Sequence, residues 1–208
     1  MPGTRKCFAL LTCAAAATIT VGCDMATSVA VQVPAILQSI LNDSGSFTAD
    51  NAELSDIETG TVVDDAATID GCWGNFRTTV AAADSTEAQA FGDSEIQEVT
   101  AFAFDAGTGE LSVYVLLQNM DGSTGLVNVV SGSYALSDNN TITQDVTEAG
   151  ITDPRTGELV TSDVEGSAPI TNEWLVTLRD DELKVLRVAA DGAVNQDDAL
   201  ILRRFDCP

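Results

Sequence analysis

The chain has 208 residues, with 32 Asp plus Glu against nine Lys plus Arg and no histidine. At 45% apolar it can bury a core, and its length suits one domain with a terminal appendage. A formal charge of −23 with no basic stripe excludes sequence-independent nucleic-acid binding, and the missing histidine excludes Ser-His-Asp triads, Cys-His dyads and imidazole-ligated metals.

Residues 1–6 carry Arg5 and Lys6 and no acid, and residues 7–22 are uncharged and apolar or small. This is the pattern of a secretory signal peptide, with an apolar stretch shorter than the about 20 residues of a membrane-spanning helix. Within it, Thr20-Val21-Gly22-Cys23 resembles a bacterial lipobox, departing from it at Thr20, where that motif prefers Leu. The resemblance implies lipidation of Cys23 and a partner in the membrane, reached through the lipid anchor. Asp24, next in the chain, resembles an inner-membrane retention signal of enteric bacteria, which leaves inner against outer membrane open. The alternative is an ordinary signal peptide cut among residues 14–17, giving a soluble secreted or periplasmic protein. Cysteine parity fits lipidation: Cys7 and Cys13 leave with the leader, Cys23 takes lipid, and Cys72 and Cys207 remain to pair in an oxidising compartment. The expected divisions are a leader over 1–22, a lipidated N-terminus with a short helix and linker over 23–70, and a β domain over 71–208.

After Pro34, which can start a helix, Ile36, Leu37, Ile40 and Leu41 share one helical face and Asn42-Asp43-Ser44-Gly45 ends the run. This face could rest on a membrane or on the β domain, and packing within the protein is the expected reading. Residues 44–70, rich in Asp, Thr and Ser, read as a linker or loosely packed lead-in. From Gly71 the pattern predicts strands over 73–81, 96–104, 111–118, 126–136, 141–147, 170–179, 183–188 and 199–205, with no helix among them. Leu111, Val113, Val115 and Leu117 share one face, as do Trp174, Val176 and Leu178. Residues 148–169 read as a long loop or an extra hairpin around Pro154-Arg155-Thr156-Gly157. About eight antiparallel strands at this spacing make an all-β up-and-down barrel, with a β-sandwich as the alternative.

Gly71-Cys72-Trp73 opens the first strand and Arg203-Arg204 lies in the last. Together with Gly132-Ser133-Tyr134, the run from Trp174 to Arg179 and Glu182-Leu183-Lys184-Val185, this resembles the lipocalin-like, or calycin, pattern over residues 71–207. The resemblance implies a barrel whose end is closed by Trp73 under a cation from Arg203 or Arg204, a contact worth about 0.5–2 kcal/mol. Closure of eight strands also brings the start of the first beside the end of the last, which places Cys72 and Cys207 within bridging distance.

Other patterns carry less. Residues 191–198 look like half of a calcium loop, but Arg187 and Ala189 fall where ligands belong, so a polar hairpin loop is the expected reading. Paired carboxylates such as Asp64-Asp65 and Asp180-Asp181 read as solvated turns, and no acid pair is selected for glycosidase chemistry. No Gly-x-Ser-x-Gly elbow is present. Arg179, Lys184, Arg187, Arg203 and Arg204 cluster in the last 30 positions; they could line a pocket for an anionic ligand, and the expected reading is that they point outward and offset acids. The protein is thus expected to be non-enzymatic, with no cofactor and no metal. Its expected partner is a small apolar or amphipathic ligand in a barrel pocket lined by Phe102, Phe104, Tyr114, Tyr134 and Trp174. The alternative is a structural or protein-interaction lipoprotein whose barrel those side chains fill.

Overall fold

In the computed structural model, the described residues are 31–48, 63, 65–80, 91, 95–122, 125–137, 140–153, 156–164, 170–189, 192–194 and 199–208. The lipobox, Cys23 and most of 191–198 lie outside them. The elements run α1 (Ala35–Asn42), α2 (Ser44–Phe47), a 3-10 turn (Ala66–Thr68), β1 (Gly71–Val80), β2 (Glu95–Asp105), β3 (Glu110–Asn119), β4 (Gly125–Leu136), β5 (Thr141–Thr152), β6 (Leu159–Asp163), β7 (Ile170–Arg179), β8 (Glu182–Val188) and β9 (Leu200–Phe205). All strand pairings are antiparallel. The order β4-β3-β2-β1-β9-β8-β7-β5, with β5 also paired to β4, is a closed ring of eight strands, and β6 is an extra strand beside β5.

The up-and-down barrel is therefore present, and the sandwich alternative is not. The segment left open between a loop and a hairpin is a hairpin. β5 runs on past 147 to Thr152 and pairs Glu148–Thr152 with β6, through a turn in which the Gly157 N–H donates to the Asp153 carbonyl at 2.8 Å. One residue departs from the expected absence of helix after 71. Phe91, between β1 and β2, is helical and buried.

Alternation along the strands sends one face into the ring and the other outward. Trp73, Phe102, Leu111, Val130, Ile142, Val176, Leu183 and Leu202, drawn from all eight strands, form the inner cluster. Outside, Ile36, Leu37 and Ile40 of α1 pack against Val99, Ala101, Leu116 and Val127, so the helix lies on the barrel wall, the expected of its two places. The approach is close because Gly74 has no side chain: a Cβ there would meet Ile40 Cδ1 at 2.6 Å. Gly74→Ala is accordingly expected to cost about 1–3 kcal/mol in urea denaturation. Trimming the obstructing atom with Ile40→Val in the same chain should recover part of the loss. A larger deficit in the double variant would mean that the helix contact does not set the cost.

The two ends of the barrel differ. At the end where β1 starts, the connections are short: 106–109, 137–140 and 180–181. Asp105 organises the first of these, its side chain accepting from the N–H groups of Gly107 at 2.9 Å and Thr108 at 3.0 Å. These bonds, foremost that from Thr108, hold its carboxyl below the ordinary aspartate value. At the opposite end lie the longer connections 81–94, 153–169 and 189–199. This end is called the mouth below.

Candidate functional site: the barrel interior from stopper to mouth

Gly71 begins β1 at φ 101°, a left-handed conformation that glycine adopts without strain, and turns the chain into the barrel floor. Two residues on, Trp73 is fully buried and its indole N–H donates to the Ile69 carbonyl at 2.8 Å. Arg204 lies over the ring, its Cζ 4.3 Å from the centroid. Its Nη1 and Nη2 donate to the carbonyls of Asp70 (3.0 Å) and Thr68 (2.6 Å). Cation, ring and 3-10 turn thus form one stopper. The choice between Arg203 and Arg204 is settled by parity: β9 pairs Arg204 with Trp73, whereas Arg203 pairs with Gly74 and faces outward. There Arg203 Nη1 donates to the carbonyls of Ser46 and Thr48 at 3.1 and 3.0 Å.

Of the lead-in read as a linker, α2 packs outside the barrel through Phe47, and Val63 with 65–70 belongs to the stopper. Val63 and Ile69 are buried in the inner cluster. Cys72 and Cys207 are disulfide-bonded with Cα atoms 5.3 Å apart, tying β1 to the segment beyond β9.

The five expected pocket residues do not line one pocket. Phe102 stacks on Phe104 with centroids 6.0 Å apart and meets the Trp174 ring edge-on at 5.5 Å. Phe104 in turn meets Tyr134 at 5.5 Å. These four rings fill the half of the barrel next to the stopper. Tyr114 is a correction: flanked by the inward-facing Val113 and Val115, it points outward into the cluster beneath α1.

The Tyr134 hydroxyl is buried without a partner among the described residues. Burial raises its pKa, with Asp70 and Asp105 adding to the rise. The raised value means that the protonated phenol supports the fold fully below its unfolded pKa of about 10, and that this support is lost as pH climbs through the folded value. Tyr134→Phe, which removes a buried hydroxyl without a partner among the described residues, is expected to raise stability at pH 7 by up to about 1–3 kcal/mol. It should also remove this contribution to alkaline destabilisation, read by denaturation at pH 7 and above pH 10. A loss above about 2 kcal/mol at pH 7 would show that the hydroxyl is bonded in solution.

Toward the mouth the inner face turns polar. Registered pairing aligns Asn75 of β1 with Thr100 of β2, Thr100 with Val115 of β3, and Val115 with Asn128 of β4. The next row is Arg77, Glu98, Leu117 and Leu126. Alternation from Trp73, Phe102, Val113 and Val130 points both rows inward. Arg77 Nη2 holds both Glu98 oxygens at 2.8 Å, and the Asn75 amide donates to the Ile201 carbonyl at 2.9 Å, where β1 and β9 part.

Other atoms in these rows are buried without a partner among the described residues: Asn75 Oδ1, Thr100 Oγ1, Asn128 Nδ2 and Arg77 Nε. Asn75, Thr100 and Asn128 are 4%, 2% and 9% exposed, so bulk water does not satisfy them. A buried, unbonded polar group costs about 1–3 kcal/mol, and a native interior tolerates few. Deeper in the barrel Gln144 donates to the Leu111 carbonyl at 2.7 Å and accepts from Asn172 at 3.2 Å, and the Tyr134 hydroxyl stands apart as the one already described without a partner. Phe91, Ile96, Val115, Leu117 and Leu126 supply an apolar wall beside the polar rows.

Of these mouth residues only Val115 and Leu117 were singled out from the sequence, as one strand face, and none of the polar ones was. Their signal was present as parity: Asn75 and Arg77 follow Trp73 at steps of two, and Thr100 and Glu98 precede Phe102 likewise. Of the C-terminal cations, Arg179 pairs with Glu182 at 3.0 Å, in line with the expected offsetting of acids, whereas Arg204 turns inward and Arg187, paired with Trp174, falls on the inward parity. The described part of the supposed calcium loop makes a turn, with Val194 bridged to Val188 and the Ala189 N–H donating to the Ala193 carbonyl. Among the described residues, no three Cys, Asp or Glu side chains converge as a metal site. Comparison of the chain with protein-family models and with curated proteins found no match to either.

Proposed function

We propose that this protein is an exported, lipid-anchored lipoprotein whose lipocalin-like barrel holds a small amphipathic ligand in its mouth half. One observation carries the ligand-holding part: four buried polar atoms on two adjacent inward rows lack a partner among the described residues, next to an apolar wall. The polar rows suit one end of such a molecule and the wall its apolar remainder, the usual division of a small-molecule site. The aromatic filling beside the stopper confines the ligand to the mouth and favours a filled, structural barrel only for that half. The leader pattern and lipobox support export and anchoring, and the Cys72–Cys207 bridge fits an oxidising compartment.

Native mass spectrometry of the protein purified from its own host tests the ligand. A co-purifying small molecule is expected, and its consistent absence across lipid and metabolite screens would overturn the ligand-holding reading in favour of a structural lipoprotein. Palmitate incorporation tests the anchor. Label should enter the wild type and not Cys23→Ser, and label retained by the variant would remove Cys23 as the lipid site.

A further inference from the structure

From the hydrogen-bonding inventory of the polar rows, we infer that the ligand's polar end is uncharged and hydroxyl-bearing, as in a neutral amphiphile with a polyol head. This rests on the ligand-holding reading above and adds the chemistry of the group recognised. The unpartnered atoms are of mixed kind. Asn75 Oδ1 only accepts, Asn128 Nδ2 and Arg77 Nε only donate, and Thr100 Oγ1 does both.

A carboxylate, which only accepts, would answer the two donors and face Asn75 Oδ1 with like polarity. An ammonium, which only donates, would do the reverse. A pair of hydroxyls donates and accepts, and so meets the whole set. Charge points the same way. The Arg77 guanidinium is already bound to both oxygens of Glu98 at 2.8 Å, so these rows present no net charge to balance an ionic head. Arg187, the inward-parity cation opposite Trp174, is engaged within the protein as well. An ion entering here would give up its hydration without a counter-charge, a large penalty in a buried site.

The test titrates the full chain, in detergent-free buffer below micelle-forming concentrations, with monodecanoylglycerol, decanoate and decylammonium. Binding is followed by tryptophan fluorescence and calorimetry at pH 7. The glycerol ester is expected to bind at least about tenfold more tightly than either ion of the same chain length. Thr100→Val and Asn128→Leu are each expected to reduce that preference severalfold while the chains still bind. Thr100→Val is close in shape and keeps the test valid should Asn128→Leu fail to fold.

Either ion binding as tightly as the ester would overturn the head-group inference and leave the ligand-holding reading standing. A preference for the ester unchanged in the variants would overturn its assignment to these rows. Failure of all three probes to bind would count against both.

Discussion

Removing the bridge with Cys72→Ala and Cys207→Ser is expected to lower the unfolding free energy by about 4–5 kcal/mol. The two cysteines are 135 residues apart in sequence, and the chain-entropy gain of a cross-link grows with the loop that it closes. For a chain of this size that corresponds to a fall of roughly 10–15 °C in the denaturation midpoint. Alanine is the better replacement at 72, because that side chain is 2% exposed and packs with Val99 and Ala101, where a serine hydroxyl would be buried. Calorimetry and urea denaturation of the oxidised wild type against the variant give the difference. A loss under about 1 kcal/mol would mean that β1–β9 pairing and the Arg204 contacts already hold the two ends together in the unfolded ensemble's nearest competitors. The bridge would then be a redundant closure.

Trp73→Ala is expected to cost about 3–5 kcal/mol, the range for emptying a large aromatic site in a packed interior. The loss includes the indole bond to Ile69, the surface on which Arg204 rests and the support of the 3-10 turn. Arg204→Ala should cost less, about 1–3 kcal/mol, because the side chain is partly exposed and its partners regain water. A cycle of the two single variants and the double should return about 0.5–2 kcal/mol of coupling. Arg204→Lys should recover less than half of the alanine loss. An ammonium is a point charge and does not reproduce the planar fork that reaches the carbonyls of Thr68 and Asp70 together. Additive single variants, with no coupling, would show that the cation and the ring contribute independently.

The strands were legible because each is bounded by chemical punctuation. Asp105-Ala106-Gly107-Thr108-Gly109 and Asp180-Asp181 stop their strands within a residue or two of where the pattern placed the ends. Both carry a residue in the left-handed region, Gly109 and Asp180. Ring closure followed from strand number and from the two cysteines, a long-range constraint written in single residues. The lead-in was not legible, since three scattered buried side chains among its described residues, Phe47, Val63 and Ile69, in an Asp- and Thr-rich stretch give no periodicity to detect. Phe91 is a plainer omission. Glu87-Ala88-Gln89-Ala90 ahead of Gly92 are favourable helix formers before a stop residue, and strand spacing took precedence over them.

The pocket failed to form as expected for a different reason. Aromatic size suggested lining residues, but parity decides which way a strand residue points. Parity put Tyr114 on the outer wall and three small or medium polar residues, Asn75, Thr100 and Asn128, on the inner one. Composition weights the bulky residues, whereas parity decides which residues face the interior.

The route by which the chain joins the barrel sets a limit on geometry. The Gln32 N–H donates to the Gly157 carbonyl at 2.7 Å, and Val31 lies beside Gly125, so the polypeptide arrives at the rim where β4 begins and the β5–β6 hairpin turns. Only residues 24–30 separate Cys23 from Val31. At about 3.3–3.6 Å per residue even a taut tether holds position 23 within roughly 30 Å of that rim. Anything fastened to that cysteine therefore stays within that reach of the rim where β4 begins.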